Sequence, residues 1–216
     1  MVITPVAFIS ILLAYLLGSI PTAVWIGKRF YGIDVREHGS GNAGATNTFR
    51  VLGKQAGIPV LMIDVLKGFL AVKLAWIFSE DVNAHVDAFF HLQLRLGTAA
   101  LAGHIFPVFA GFRGGKGVAT LLGIVCALNL VAALVSLGVF ILTLFLTRYV
   151  SLSSMIASLV FPIVVMVVIK SSTPEMVIFS ILISFIVVLT HQKNIERLFN
   201  KNESRVRFRK KTPKNH

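Results

Sequence analysis

Residues 118–147 read VATLLGIVCALNLVAALVSLGVFILTLFLT, a run without one charged side chain. As a single helix it would be about 45 Å long, against roughly 30 Å of bilayer hydrocarbon. How the run is divided decides which side of a membrane every later loop faces. If it crossed once, Arg148 would lie outside. So would the segment from His191 onward after one more pair of spans, and that segment holds nine Lys or Arg. The positive-inside rule rejects this arrangement. A turn near Asn129 makes two short segments, about 118–129 and 131–147, and returns the basic end to the inside. The expectation is a hairpin whose arms need not each cross fully.

The whole chain fits that setting. Its 216 residues are 56% hydrophobic and 14% charged, with a mean hydropathy of +0.81. Soluble domains carry about 25% charged residues. The net charge of +12 reads as cytoplasmic loop bias and attraction to anionic headgroups. No nucleic-acid module is visible, so nucleic acid is not expected as a partner. The single cysteine, Cys126, lies in the apolar run and can form no internal disulfide.

Working outward, residues 3–27 form a first apolar segment, with Gly18, Ser19 and Pro21 predicting a kink. No basic residue precedes it and no clear small-residue cleavage site follows. It reads as an uncleaved span, not a signal peptide. Residues 55–79 make a second span, with Asp64 and Lys67 one helical turn apart well inside it. Ionisable groups at that depth face the bundle interior. A structural ion pair and a catalytic role are both open for them. Residues 80–90, with Glu80, Asp81 and Asp87 but no Lys or Arg, suit an outer loop. A third span covers about 91–110, with Arg95 near its outer end. Two more cover 152–169 and 175–190, around an outer turn at 171–174. The expected fold is all-α: a polytopic membrane helix bundle of seven membrane segments, N-terminus outside and C-terminus cytoplasmic. Residues 1–200 would form the membrane-embedded domain and 201–216 a basic tail on anionic lipid.

Three inner stretches carry the candidate chemistry. Residues 103–120 read GHIFPVFAGFRGGKGVAT, where Gly111, Gly114, Gly115 and Gly117 surround Arg113 and Lys116. Such a turn, opening a helix, can aim several backbone N–H groups and two cations at a phosphate. The plainer alternative is a membrane-edge loop with positive-inside charges. It is not a P-loop: that pattern needs G-x-x-x-x-G-K-[ST], and here Ala110 stands at its first glycine and Gly117 follows the lysine. Residues 38–50 read HGSGNAGATNTFR, a second candidate anion nest, for which a flexible linker is the alternative. The third stretch is HQKNIERLFNKNESRVRFRKK from His191, where His191, Asn194 and Arg197 recur on one helical face. Glu196 follows His191 by five residues, about 140° around a helix, so the two do not act together. His104, near the inner end of its span, sits where a lone histidine is more often structural than a base.

The topology brings loop 38–50, loop 111–117, the turn at Arg148 and the helix end at His191 to one cytoplasmic face. No carboxylate pair, Cys/His metal spacing or serine-protease triad is seen there in the sequence, and no cofactor is expected. The chemistry these residues suit is positioning and electrostatic stabilisation of phosphate-bearing reactants. A transporter for a phosphorylated solute is the rival reading. It rests on the mid-membrane Asp64 and Lys67 and the cationic loops, and against it no paired inverted repeat is visible.

At these motifs the chain resembles the bacterial acyl-phosphate:glycerol-3-phosphate acyltransferases of the PlsY type. The matching stretches are GSGNAGATNTFR at 39–50, GHIFPVFAGFRGGKGVAT at 103–120 and HQKNIERL at 191–198, with GSIPTA at 18–23 and DVLKG at 64–68. The resemblance spans nearly the whole chain. It implies a multi-pass enzyme of the bacterial inner membrane with its active site facing the cytoplasm. That enzyme would move a fatty acyl group from acyl phosphate to glycerol 3-phosphate, giving lysophosphatidic acid and phosphate. Its partners would be those two substrates, the lipid bilayer and a soluble enzyme that makes acyl phosphate. By motif position, the implied catalytic residues are Ser40, Arg50, Lys116, His191 and Asn194. The implied substrate contacts are Gly41, Asn42, Gly44, Thr46, Asn47, His104, Gly114, Gly115 and Gly117.

Overall fold

A computed structural model describes residues 5–79, 86–170 and 173–206, and every regular element among them is helical. Glu80, Asp81, the turn residues Ser171 and Ser172, and the basic stretch 207–216 lie outside the described residues.

The expected kink in the first segment is present. Helix α1 (Pro5–Gly18) and helix α2 (Thr22–Tyr31) meet at an angle of 41°. Pro21 has no N–H and cannot continue the ladder. The break leaves the Ile20 carbonyl short of a helical partner, and Lys67 Nζ donates to it at 2.8 Å. Lys67 comes from α4 (Lys54–Lys73), which ends at Leu74 before the single turn α5 (Ala75–Phe78). The expected span 55–79 is thus one long helix and one short turn. Before it, α3 (Ala45–Leu52) corrects the sequence reading of 38–50 as one loop: Thr46, Asn47 and Arg50 stand on a helix capped by Gly44.

Helix α6 (Val86–Ile105) starts earlier and ends earlier than the expected 91–110. It stops because Pro107 follows, and residues 108–110 form only a 3-10 turn. Helix α7 (Val118–Leu128) and helix α8 (Leu130–Thr147) are separated at Asn129, as the parity argument expects. Asn129 Oδ1 accepts from Ala132 N at 2.9 Å, capping α8. Helix α9 (Val150–Ile163) runs on as a π-helical turn, Val164–Val168. Pro162 removes the donor to the Ser158 carbonyl, and Ser184 Oγ from the next helix donates to that oxygen instead. That helix is α10 (Pro174–Thr190), bent by 59° from α11 (Gln192–Phe199).

By length and composition, α8 and the Val150–Val168 stretch are apolar enough to cross a membrane, and each bent pair also qualifies if it is one broken span. Ile124, Val72, Leu101, Val165, Ile183 and Val187 fill one core. The outward face of α8 leaves Leu134, Ile141, Leu142, Phe145 and Leu146 exposed. A shell of apolar side chains around a core this small is what lipid, and not water, would solvate.

Helices α4 and α7 cross at backbone distance. A Cβ on Gly68 would lie 2.1 Å from the Thr120 carbonyl oxygen, and one on Gly123 would lie 1.9 Å from that of Val65. Small residues that let helix backbones touch are the usual means of helix association in lipid. This crossing fixes the N-terminus of α7, where Lys116 and Gly117 stand.

Candidate active site

The first loop is built around one side chain. Asn47, 2% exposed, accepts from Ser40 N at 2.8 Å and donates to the carbonyls of Val35 (2.8 Å) and His38 (3.1 Å). Those bonds fold residues 35–40 back over α3. They require Gly39 and Gly41 at φ of 63° and 73°, where a side chain is disfavoured. The Asn47 amide, implied as a substrate contact by motif position, is engaged in organising this loop. Ser40, Asn42, Thr46 and Arg50 make no side-chain hydrogen bond to the protein among the described residues, and all four are at least partly accessible. Their donors remain open.

A brace the sequence reading missed ties this loop to the second. Asp34 accepts from Arg36 Nε at 3.0 Å and Arg36 Nη2 at 2.7 Å, and Arg36 Nη1 donates to the Ala110 carbonyl at 2.8 Å. The Arg36 guanidinium holds the Asp34 carboxyl well below the usual carboxylate range. This bidentate pair has the geometry that makes arginine ion pairs strong.

The second loop is folded tightly against the end of α6. Gly115 N donates to the His104 carbonyl at 3.1 Å. That corrects part of the nest reading, because this N–H is already directed at protein. A Cβ on Gly114 would meet the His104 carbonyl oxygen at 2.1 Å, and one on Gly115 would meet His104 Nε2 at 2.2 Å. The two glycines are therefore demanded by packing. Gly117, at φ 80°, starts α7. His104 itself is buried. Its Nδ1 lies 2.9 Å from Thr120 Oγ1 and 3.8 Å from Asp64 Oδ1. It supports the loop from beneath, as a structural histidine does, and lines a small cleft with Thr22, Ala43, Lys67 and Gly114. Asp64 and Lys67 pair at 2.8 Å, and Thr22 Oγ1 donates to the same carboxylate oxygen at 3.1 Å. Of the two roles open for this pair, the structure favours a lock between α4 and the broken first segment.

Lys116 joins the second loop to the third element. Its ammonium donates to Asn194 Oδ1. Asn194 Nδ2 donates in turn to Glu203 Oε1 at 2.7 Å, which also accepts from Ser151 Oγ at 2.8 Å. Arg197 Nε stands 3.4 Å from the other Glu203 oxygen. Burial brings Lys116 down to about 8; Glu203 opposes the fall, while Arg197 and Arg50 add to it. His191, 2% exposed, sits just past the end of α10. Its Nδ1 is 2.7 Å from the Val187 carbonyl, which only an N–H can satisfy, so Nε2 carries the lone pair. Burial, and then the Lys116 charge, push the imidazole down to about 4.

Glu203 and Ser151 were not among the expected site residues. The one signal available was an acid within a strongly basic segment. Residues 202–206 do not start a free tail: Val206 N donates to the Arg148 carbonyl at 2.8 Å and Arg205 Nε to Tyr149 Oη at 2.8 Å. The first loop, the second loop, the turn at Arg148 and the helix end at His191 thus meet at one end of the bundle.

Comparison with known proteins matches most of the chain. The family described as glycerol-3-phosphate acyltransferase matches residues 8–201. The chain belongs to the glycerol-3-phosphate acyltransferase family. It is 46% identical over 204 residues to a glycerol-3-phosphate acyltransferase of Bacillus cereus, covering 94% of this chain and 97% of the relative. It is 47% identical over 198 residues to that of Geobacillus kaustophilus, covering 92% and 95%. The fold resembles the crystal structure of PlsY, an integral membrane glycerol 3-phosphate acyltransferase, in its glycerol 3-phosphate form. The TM-score is 0.82 at 36% identity, over 93% of this chain and 96% of that one. The lysophosphatidic acid form of PlsY gives 0.79 over 93% and 95%. This is a membrane acyltransferase of the PlsY type, and the transporter reading loses its ground.

Proposed function

We propose that this acyltransferase uses acyl phosphate as its donor and transfers the acyl group to the primary hydroxyl of glycerol 3-phosphate. The observation that carries the proposal is the position of Lys116. It stands where both loops and α11 meet, with Arg50 and Arg197 close enough to depress its pKa. Cations crowded together at their own electrostatic cost are suited to anions that arrive later. Two phosphate-bearing reactants need that help, since they repel each other. The hydroxyl oxygen attacks the acyl carbonyl carbon, and the bond to phosphate breaks with its electron pair on the leaving phosphate. Ser40, Asn42, Thr46 and Arg50 offer open donors to the phosphate of glycerol 3-phosphate; Lys116 serves the leaving phosphate. His191 Nε2 accepts a hydrogen bond from the hydroxyl and orients it. Burial and the Lys116 charge weaken the imidazole as a base, which favours the substrate phosphate as the destination of the proton.

Purified protein in lipid should release phosphate from acyl phosphate and glycerol 3-phosphate, and show no activity with acyl-CoA. Equal turnover of both donors would reject the donor assignment. A soluble enzyme that makes acyl phosphate is the partner this chemistry needs.

The same reading sets the membrane topology: seven segments, N-terminus outside, active site and C-terminus cytoplasmic, in the bacterial inner membrane. It is supported by the meeting of Lys116 and Arg148 at one end of the bundle, so that the chain between them leaves that end and returns. With Cys126→Ser as background, a cysteine at position 129 should resist a cytoplasmic thiol reagent and one at position 54 should react. Reaction of position 129 from the cytoplasmic side alone would sink the hairpin.

A further inference from the structure

Glu203 is a carboxylate in the wrong surroundings for a solvated tail. Its side chain is 6% exposed. It receives hydrogen bonds from two elements, Asn194 on α11 and Ser151 on α9, and faces Arg197. A buried carboxylate persists only when its oxygens are satisfied and its charge is matched. The matching charge includes Lys116, which Glu203 does not touch but reaches through Asn194. Asn194 has one amide, and Glu203 decides how it is turned: with Nδ2 bonded to the carboxylate, Oδ1 must face the ammonium. A donor in place of the carboxylate would turn the amide over and present Nδ2 to Lys116, a donor against a donor.

We propose that Glu203 is a positioning residue of the acyltransferase, whose carboxylate turns the Asn194 amide toward Lys116, ties α11 to α9 through Ser151, and balances the ammonium's charge. This rests on Lys116 being the phosphate-binding cation. Among the described residues, the charged and titratable groups around that ammonium are Arg50 from α3, His191 at the end of α10, Arg197 from α11 and Glu203 from residues 202–206 after α11. Glu203 is the one anion among them, so its charge favours the protonated lysine. Without it the lysine loses its proton at lower pH, and a neutral amine cannot hold phosphate.

Two measurements on the full chain in lipid test this. The first is competitive acetylation of Lys116 against pH, read by mass spectrometry, which needs no donor. The second is kcat and KM with acyl phosphate from pH 6.5 to 9. In Glu203→Gln the midpoint of Lys116 labelling should move to lower pH, and the alkaline fall in kcat/KM should move with it. Each unit of movement costs about tenfold in rate above the midpoint. Glu203→Asp keeps the charge but shortens the reach to Ser151 and Asn194. It should keep most of the labelling midpoint and lose kcat more than it raises KM. An unchanged labelling midpoint and pH profile in Glu203→Gln overturns the proposal. So does a lowered melting temperature with a wild-type profile, because that is a structural role alone. If the wild-type protein fails to turn over acyl phosphate, the donor assignment falls, and the labelling midpoints still judge Glu203.

Discussion

Lys116→Ala should lower kcat by about 10² to 10³ and leave the melting temperature nearly unchanged. A preorganised donor aimed at developing charge in a water-poor site contributes about 3 to 4 kcal/mol to the transition state, and the phosphate leaving an acyl phosphate gains charge as the bond breaks. The structure meets the conditions for that size of effect. Lys116 is partly buried, its backbone lies between Gly115 and the cap of α7, and Asn194 fixes its head. Lys116→Arg does not rescue, because the planar guanidinium is larger and cannot enter the same contact with Asn194 without displacing it. Were Lys116 only a positive-inside charge, the alanine variant would keep most of its turnover and the arginine variant would be silent. The pH dependence gives a second check. With the lysine at about 8, kcat/KM should fall as pH rises through that value. Stability should move the other way. Between about 8 and the ordinary 10.5 the unfolded chain still binds a proton that the folded chain has released, so unfolding becomes harder as pH rises. Activity falling while the melting temperature holds or rises separates loss of the ammonium from alkaline unfolding.

Much of this site was legible because its residues announce themselves by type. Lys116 among glycines, the amide-rich 38–50 stretch and His191 with Asn194 three residues on are unusual at a membrane edge, and the structure gathers all three. The break at Asn129 was legible through charge parity alone, since no local signal in an apolar run says which way a helix turns. What stayed hidden depended on partners distant in sequence. Asn47 reads as a substrate amide until its three bonds to residues 35–40 are seen. Gly114 and Gly115 read as a phosphate nest, and the contact with His104 that excludes a side chain is invisible from spacing. Glu203 was passed over because an acid in a basic run looks solvated; only the fold-back of residues 202–206 buries it. The helix at α3 was missed because Gly, Ser, Asn and Thr are weak helix formers, and tertiary contacts through Asn47 outweigh that weakness.

Gly123→Ala should cost stability, and it should cost activity as well. The new Cβ would lie 1.9 Å from the Val65 carbonyl oxygen and 2.9 Å from Phe69 N, both backbone atoms of α4. No side-chain rotation relieves such a contact; the two helices must move apart. Overpacking a close-packed interior costs about 1 to 3 kcal/mol and more where backbone must shift. Helix α7 is the shorter of the two, with 11 residues against the 20 of α4, so it takes much of the displacement. Its first turn carries Gly117 and positions Lys116, and a misplacement of about 1 Å at a reacting group can cost 10²-fold. The expected result is a lowered melting temperature together with a lowered kcat, and Gly68→Ala, 2.1 Å from the Thr120 carbonyl oxygen, should behave alike. Gly138→Ala supplies the control. Gly138 is exposed on α8 with nothing within 4 Å of its added Cβ, and alanine is the better helix former by about 1 kcal/mol. That variant should melt no lower than wild type and keep full activity. If Gly123→Ala matched Gly138→Ala in both measurements, the α4–α7 crossing would not be what holds Lys116 in place.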